Sequence, residues 1–248
     1  MVVDSRDSEF SVTSLAPAAH VALLARMLHR EGYNDHLGGH ITYRQGGNAL
    51  LATPVELGWE ELRASDILWI DEDGKVLDGR WHVSPAISLH VELYRFRPEV
   101  RVAVHHHPEF TTVWAAIGEK PPIYDQTSAI ERDDLVTVYS DYEGDVVDPM
   151  VARKNVEALG RAHTALLANH GVLVVADSIE RAYLRSSAIE WRSRLAWRVE
   201  ALGDGRGKPM AAVQAAGLAE TIDKVGGWPG VFEWAVRREI RADPRVLD

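Results

Sequence analysis

The stretch Val102-Ala103-Val104-His105-His106-His107-Pro108 constrains this chain more than any other. Three apolar residues run directly into three histidines and a proline, the pattern of a buried strand delivering side chains to a site. Side chains alternate across a strand, so His105 and His107 should share one face and His106 should point the other way. Two imidazoles two residues apart on one face make a metal-binding pair, and neutral imidazole suits zinc, manganese or iron. Taken alone, the stretch also fits a polar strand end with solvated histidines.

The chain contains no cysteine. Disulfides and thiolate sites are therefore excluded, and any bound metal must use His, Asp or Glu. The formal net charge of −10 argues against nucleic-acid binding. No apolar run approaches the ~18 residues of a membrane span. The N-terminus has no signal-peptide pattern, so a cytoplasmic enzyme is expected. With 248 residues, the chain reads as one large domain over 15–248, preceded by a flexible segment 1–14 and ending in helices over 203–248.

Helical spacing of Val21, Leu24, Met27 and Leu28 predicts a helix over 15–31, with Ser14 as its cap. The segment His40 to Arg44 alternates like a strand, and Ala49 to Thr53 returns after a turn. Gly38 and Gly39 let backbone approach something closely; the segment reads either as a substrate-lining loop with His40 at its lip or as a plain turn. A short helix is expected over 60–65, and a further one over 85–97, capped by Ser84 and carrying His90 and Tyr94 one turn apart. Others follow over 109–117 and from Asp148-Pro149 to Leu159. The apolar run Thr164 to Ala168 breaks at Asn169-His170-Gly171 and resumes at Val172. Burying a polar ring there costs free energy unless something binds it, so His170 reads as a third metal ligand; the alternative is a core histidine with one backbone partner. The long helix expected over 179–201 interleaves Trp191 and Trp197 with Arg192, Arg194 and Arg198, which the acidic balance assigns to a solvated or inter-subunit face.

Three histidines leave a coordination position open and leave the cation its full charge. That charge favours an enolate or a chelating oxo- or hydroxy-acid, and the task it fits is stabilising negative charge as a carbon–carbon bond breaks.

Four segments together resemble the class II aldolase/adducin family. They are Gly38-Gly39-His40-Ile41-Thr42-Tyr43-Arg44; His90 to Tyr94 followed by Arg97-Pro98; His105-His106-His107-Pro108; and Ala168-Asn169-His170-Gly171. The resemblance covers about Leu15 to Arg198 and matches His105, His107 and His170 to the family's metal ligands. It implies an α/β class fold with three layers, α/β/α, around a mostly antiparallel sheet, and a homotetramer with active sites between subunits. The chain also departs from the family. Aldolases carry an acidic catalytic residue four positions before the helix histidine, where this chain has Ala86. The positions that hold a sugar phosphate are here Gly39-His40, Pro54 to Glu56 and Ser84-Pro85, and a carboxylate at Glu56 would repel a phosphate.

These residues together predict a divalent-metal-dependent carbon–carbon lyase, a decarboxylase or aldolase, acting on a non-phosphorylated oxo- or hydroxy-carboxylic acid through a metal-stabilised enolate. Zinc is the expected ion, with manganese or iron as alternatives. His40 is the expected catalytic acid or base, with Glu109 and Glu131 as further candidates. Substrate contacts are expected from Gly39, Thr53, Ser84 and Gln126. Two other functions fit less of the sequence: a non-haem iron oxygenase on an aromatic substrate, and a non-catalytic, adducin-like scaffold.

Overall fold

A computed structural model of the chain describes residues 12–140 and 148–248. Most of the segment expected to be flexible, residues 1–11, lies outside the described residues. In its last part Val12–Ser14 form a short 3-10 turn, and Val12 is buried. Helix α1 (Pro17–Arg30) begins after Ala16 with no side-chain cap, not at Leu15 under a Ser14 cap. Pro17 in the first turn removes an N–H that would lack an intrahelical partner. Val21, Leu24, Met27 and Leu28 are all fully buried, as their spacing requires.

Eight strands form one sheet: β1 (His40–Arg44), β2 (Leu50–Ala52), β3 (Leu68–Ile70), β4 (Val76–Asp78), β5 (Val102–His106), β6 (Val136–Tyr139), β7 (Thr164–Leu167) and β8 (Gly171–Ala176). Their order is β4-β3-β2-β1-β5-β8-β7-β6. Every neighbouring pair is antiparallel except β6 and β7.

The remaining helices are α2 (Ser88–Phe96), α3 (Glu109–Ile117), α4 (Pro149–Leu159), α5 (Ile179–Glu200), α6 (Ala212–Lys224) and α7 (Val231–Ala242). Strand alternation sorts the core into two layers. Val102, Val104, Val172 and Val174 pack with Leu24, Leu28, Trp114, Ile189 and Val236 from α1, α3, α5 and α7. Ala103, Leu173 and Val175 face the opposite way and pack with Leu89, Leu93, Val156 and Leu159 from α2 and α4. The result is the three-layer α/β/α arrangement. A one-residue slip of β5 would exchange its two faces and aim His105 away from its neighbours, so burial on both sides pins the register that the site needs.

Local departures from the sequence pattern have simple causes. The helix expected over 85–97 is split: Ser84 Oγ accepts from Ala86 N (3.2 Å) and caps a 3-10 turn over Pro85–Ile87, from which α2 starts. No helix forms over 60–65; a 3-10 turn at Ala64–Asp66 is capped by Asp66, whose carboxylate accepts from Arg63 N.

Helix α5 has a solvated side bearing Trp191 and Trp197, but Arg192 does not lie on it. Arg192 is 1% exposed; its Nε donates to the Pro121 carbonyl (2.6 Å), and its other nitrogens donate to the Glu131 carbonyl and the Asp133 carboxylate. The guanidinium ties the segment between α3 and β6, which includes 3-10 turns at Ser128–Glu131 and Asp133–Leu135, to α5, work that a charge count cannot reveal.

Beyond α5, α7 closes back on α1 through Arg26–Asp243 (3.1 Å) and Arg30–Glu239 (2.7 Å), and Ser65 N donates to the Asp248 carbonyl (2.7 Å). Among the described residues, no helix is long and apolar enough to cross a membrane.

Candidate metal centre

Three segments converge at one end of β5. Its partner β8 pairs His105 with Leu173 and His106 with Val172. β8 is joined to β7 by a turn in which Leu167 pairs with Gly171 and His170 N donates to the Leu167 carbonyl (3.0 Å). Asn169 takes a left-handed conformation (φ 56°), which Asn tolerates better than most residues. The turn thus presents His170 beside the end of β5.

One ring nitrogen from each of His105, His107 and His170 lies within 4.8 Å of the others. The ring centroids are 5.3 Å apart for His105–His107 and 4.7 Å for each pair with His170. Burial holds His105 well below the ordinary imidazole range and pushes His170 down to about 4, so both rest in the neutral form a metal requires. His105 Nδ1 lies 2.9 Å from the Val172 carbonyl. A carbonyl only accepts, so the proton sits on Nδ1 and the lone pair of His105 on Nε2. His107 Nε2 is buried with no hydrogen-bond partner. An unpaired buried lone pair beside two neutral imidazoles is the environment a divalent cation satisfies, and among the described residues no carboxylate joins the cluster.

Glycines make this convergence possible. Gly39 has φ 89°, and a Cβ there would overlap the His106 ring and the His105 carbonyl. A Cβ on Gly171 would overlap the His106 carbonyl and meet His107 Cδ2 at 2.6 Å.

As alternation requires, His106 faces away from His105. It packs against Trp59 and Tyr33 with centroids 4.4 and 5.8 Å away. Its Nδ1 accepts from the His107 backbone N–H (2.8 Å), which fixes the turn that carries His107 itself.

His40 pairs directly with His105 across β1 and β5. Its ring centroid is 5.2 Å from His105 and 4.3 Å from His90. Both His40 and His90 are buried and held neutral, well below the ordinary range, chiefly by that burial. His40 Nε2 and His90 Nε2 have no hydrogen-bond partner. His90 Nδ1 lies 2.8 Å from Thr42 Oγ1, which lies 2.8 Å from Tyr94 OH. Tyr94 donates its proton to the Thr42 and Arg101 carbonyls (3.1 and 3.2 Å), so Thr42 donates to Tyr94 and accepts from His90. That ordering leaves His90 Nε2 as an acceptor.

The other residues picked out from sequence are more scattered. Thr53 is fully buried, and its Oγ1 accepts from Ile41 N (3.0 Å), a bond that bridges β1 to the residue after β2. Ser84 caps the turn containing Ala86, which is half-buried. Glu109 is exposed on the first turn of α3, and Gln126 is exposed on the loop after Pro122; neither makes a hydrogen bond or ion pair with the three histidines. Glu131 is completely buried and accepts from Thr164 Oγ1 (2.7 Å) with Arg185 Nε 4.0 Å away. Thr164 starts β7, whereas His170 follows its far end, so Glu131 stands apart from the cluster. Glu56 accepts from His82 N (3.1 Å) and pairs with the His82 ring. Sequence reasoning passed over Asp35, whose Oδ2 lies 2.8 Å from His107 Nδ1; the only signal was a carboxylate just before the paired glycines.

A family model described as the class II aldolase and adducin N-terminal domain matches residues 19–197. The chain belongs to that family. Among class II aldolase/adducin relatives, it is 31% identical to a 3,4-dihydroxyphthalate decarboxylase of Arthrobacter keyseri, over 86% of this chain and 89% of that protein. It is 27% identical to a 5-methylthioribulose-1-phosphate/5-deoxyribulose-1-phosphate aldolase of Rhodospirillum rubrum, over 73% of this chain and 83% of that protein. The fold matches a crystal structure of an aldolase II superfamily protein from Pseudomonas syringae with a TM-score of 0.83 at 22% identity, covering 95% of this chain and 98% of that one. The family match ends at α5, so α6 and α7 lie beyond it.

Proposed function

We propose that this class II aldolase-family chain is a divalent-metal-dependent carbon–carbon lyase that decarboxylates a non-phosphorylated hydroxy-carboxylic acid. The observation that carries the reading is the cluster of His105, His107 and His170, with the buried His107 Nε2 left unpaired beside two neutral rings. A divalent cation held there, zinc first and manganese or iron next, would supply positive charge for the electron pair left on the substrate when the carbon–carbon bond breaks. His40, neutral and adjacent to His105, would accept a substrate hydroxyl proton and return one to the carbon that loses carbon dioxide.

Two further observations favour decarboxylation over sugar-phosphate cleavage. Ala86 offers no acid where the aldolases of the family carry theirs. Pro54, Glu56 and Pro85 replace phosphate-holding residues, and a carboxylate beside a phosphate repels it. The similarity to a named decarboxylase over most of both chains points the same way. Gly39 stands nearest the cluster among the proposed substrate contacts. Glu109, Glu131, Thr53, Ser84 and Gln126 are ranked behind His40, since capping, strand bridging or distance accounts for their positions. A homotetramer is the proposed assembly. An oxygenase reading lacks the carboxylate of the common iron triad, and a scaffold has no use for three convergent imidazoles.

The test is metal analysis together with carbon dioxide release from 3,4-dihydroxyphthalate and from simpler dihydroxybenzoates. His105→Ala should abolish both metal content and release. Full activity in a metal-free His105→Ala protein would end the reading. Oxygen uptake with iron alone would replace it with the oxygenase, and turnover of a ribulose 1-phosphate would replace it with an aldolase.

A further inference from the structure

We infer that Asp35 is a positioning residue for the metal ligand His107 and that its negative charge sets how tightly the site holds a divalent cation. The inference rests on the reading of the three histidines as a metal centre.

His105 and His107 are anchored differently. His105 leans on a neutral backbone carbonyl, that of Val172. His107 Nδ1 lies 2.8 Å from a carboxylate oxygen, Asp35 Oδ2, contributed from 72 positions earlier in the chain. An ionised carboxylate only accepts, so the proton sits on Nδ1 and the lone pair is forced onto Nε2. That Nε2 is the buried atom with no partner. The accepted bond also pushes electron density toward the free nitrogen and makes it a stronger donor.

The surroundings of Asp35 are shaped for this contact. Gly38 N donates to the Asp35 carbonyl (2.8 Å), closing a turn around the ring. A Cβ on Gly38 would meet the Asp35 carbonyl at 2.9 Å and His107 Nδ1 at 3.0 Å, so a side chain there would push the loop off the imidazole. On the opposite edge, Gly171 packs against His107 Cδ2. With both edges held, only Nε2 is left facing the cluster. The other oxygen of Asp35 is engaged as well, 3.0 Å from His36 Nδ1, which stops the carboxylate from turning away.

Asp35→Asn keeps the shape and an acceptor oxygen but removes the charge; Asp35→Glu keeps the charge. Chelator-stripped wild type, both variants and His105→Ala would be titrated with cobalt(II), following its visible d–d bands and competition by a chelator. Asp35→Asn should weaken cobalt(II) about 10-fold, within the roughly 10- to 100-fold range seen on losing such outer partners. Its band positions should shift, and Asp35→Glu should recover part of the affinity. Melting of the metal-free Asp35→Asn protein should match that of metal-free wild type, which separates ligand tuning from a loss of fold. Cobalt(II) binding by Asp35→Asn within twofold of wild type, with unshifted bands, would overturn the inference. Failure of wild type to bind, or equal binding by His105→Ala, would instead remove the metal centre itself, and the role of Asp35 with it.

Discussion

Acidification of the metal-free protein is a perturbation for which the structure supplies both sign and size. Burial holds His40, His90 and His105 neutral, well below the ordinary imidazole range, and pushes His106 down to about 3. In the unfolded chain such rings titrate near ~6.5. The folded state therefore binds fewer protons. The stability these rings contribute is present above that pH and is lost as pH falls toward the folded values. Between the two values the loss depends only on the unfolded side, about 1.4 kcal/mol per pH unit for each ring. At about pH 4.5 His106, at about 3 when folded, and His170, pushed by burial to about 4, cost roughly 3 kcal/mol each, and His40, His90 and His105 add losses of the same sign. Glu131 and Glu190 work in the opposite direction, since burial raises each to about 7. Their contribution is fully present below the unfolded carboxyl value and is lost as pH rises through about 7, so acidification to about pH 4.5 returns about 3 kcal/mol from each. His106 and His170 thus lose about what the two acids return, and the three fully buried rings His40, His90 and His105 tip the balance to a net loss on acidification. Urea unfolding of chelator-treated protein, followed by tryptophan fluorescence and by circular dichroism, should show the unfolding free energy falling from about pH 7.5 to about pH 4.5. A free energy that is constant or larger at the acid end would refute the claim that these rings are buried and uncharged.

Two more outcomes follow from single contacts. Pro108 cannot cap α3 with its side chain; Glu190 of α5 does so instead, accepting from Phe110 N (3.1 Å), Thr111 N (2.9 Å) and Thr111 Oγ1 (2.8 Å). Glu190→Ala should therefore lose about 2–3 kcal/mol in urea unfolding at neutral pH, and an unchanged midpoint would show that α3 does not depend on it. Gly39→Ala adds a Cβ where φ is 89° and where the His105 carbonyl and the His106 ring already stand. It should lower the melting temperature and abolish cobalt(II) binding together, whereas wild-type affinity in this variant would show that the close approach is dispensable.

Much of the architecture can be read without coordinates because its causes are local. Alternation in Val102 to His106 places His105 and His106 on opposite faces, and a strand needs nothing more for that. The helix over 109–117 and the one opened by Asp148-Pro149 lie within their expected bounds, since capping and proline geometry act within one turn. Helix starts with weaker punctuation drifted, as at Pro17 and at Ser88. Charge pattern misled at Arg192, because a count of basic residues along a helix does not say which one is drawn inward by the carbonyls of a distant loop. The burial of Glu131 is equally invisible in the sequence, because Thr164 and Arg185, which hold it, come from distant elements.

Residue chemistry alone therefore determined the imidazole character of the candidate site, the strand faces and the family, because imidazole chemistry and backbone periodicity are carried by neighbours in the chain. Tertiary structure decided which imidazole nitrogens are free. Asp35 reaches His107, the Val172 carbonyl reaches His105, and Thr42 with Tyr94 orders His90, each across tens of residues. The position of a ring proton depends on the one acceptor that folding places beside it, and no spacing in the chain encodes that acceptor.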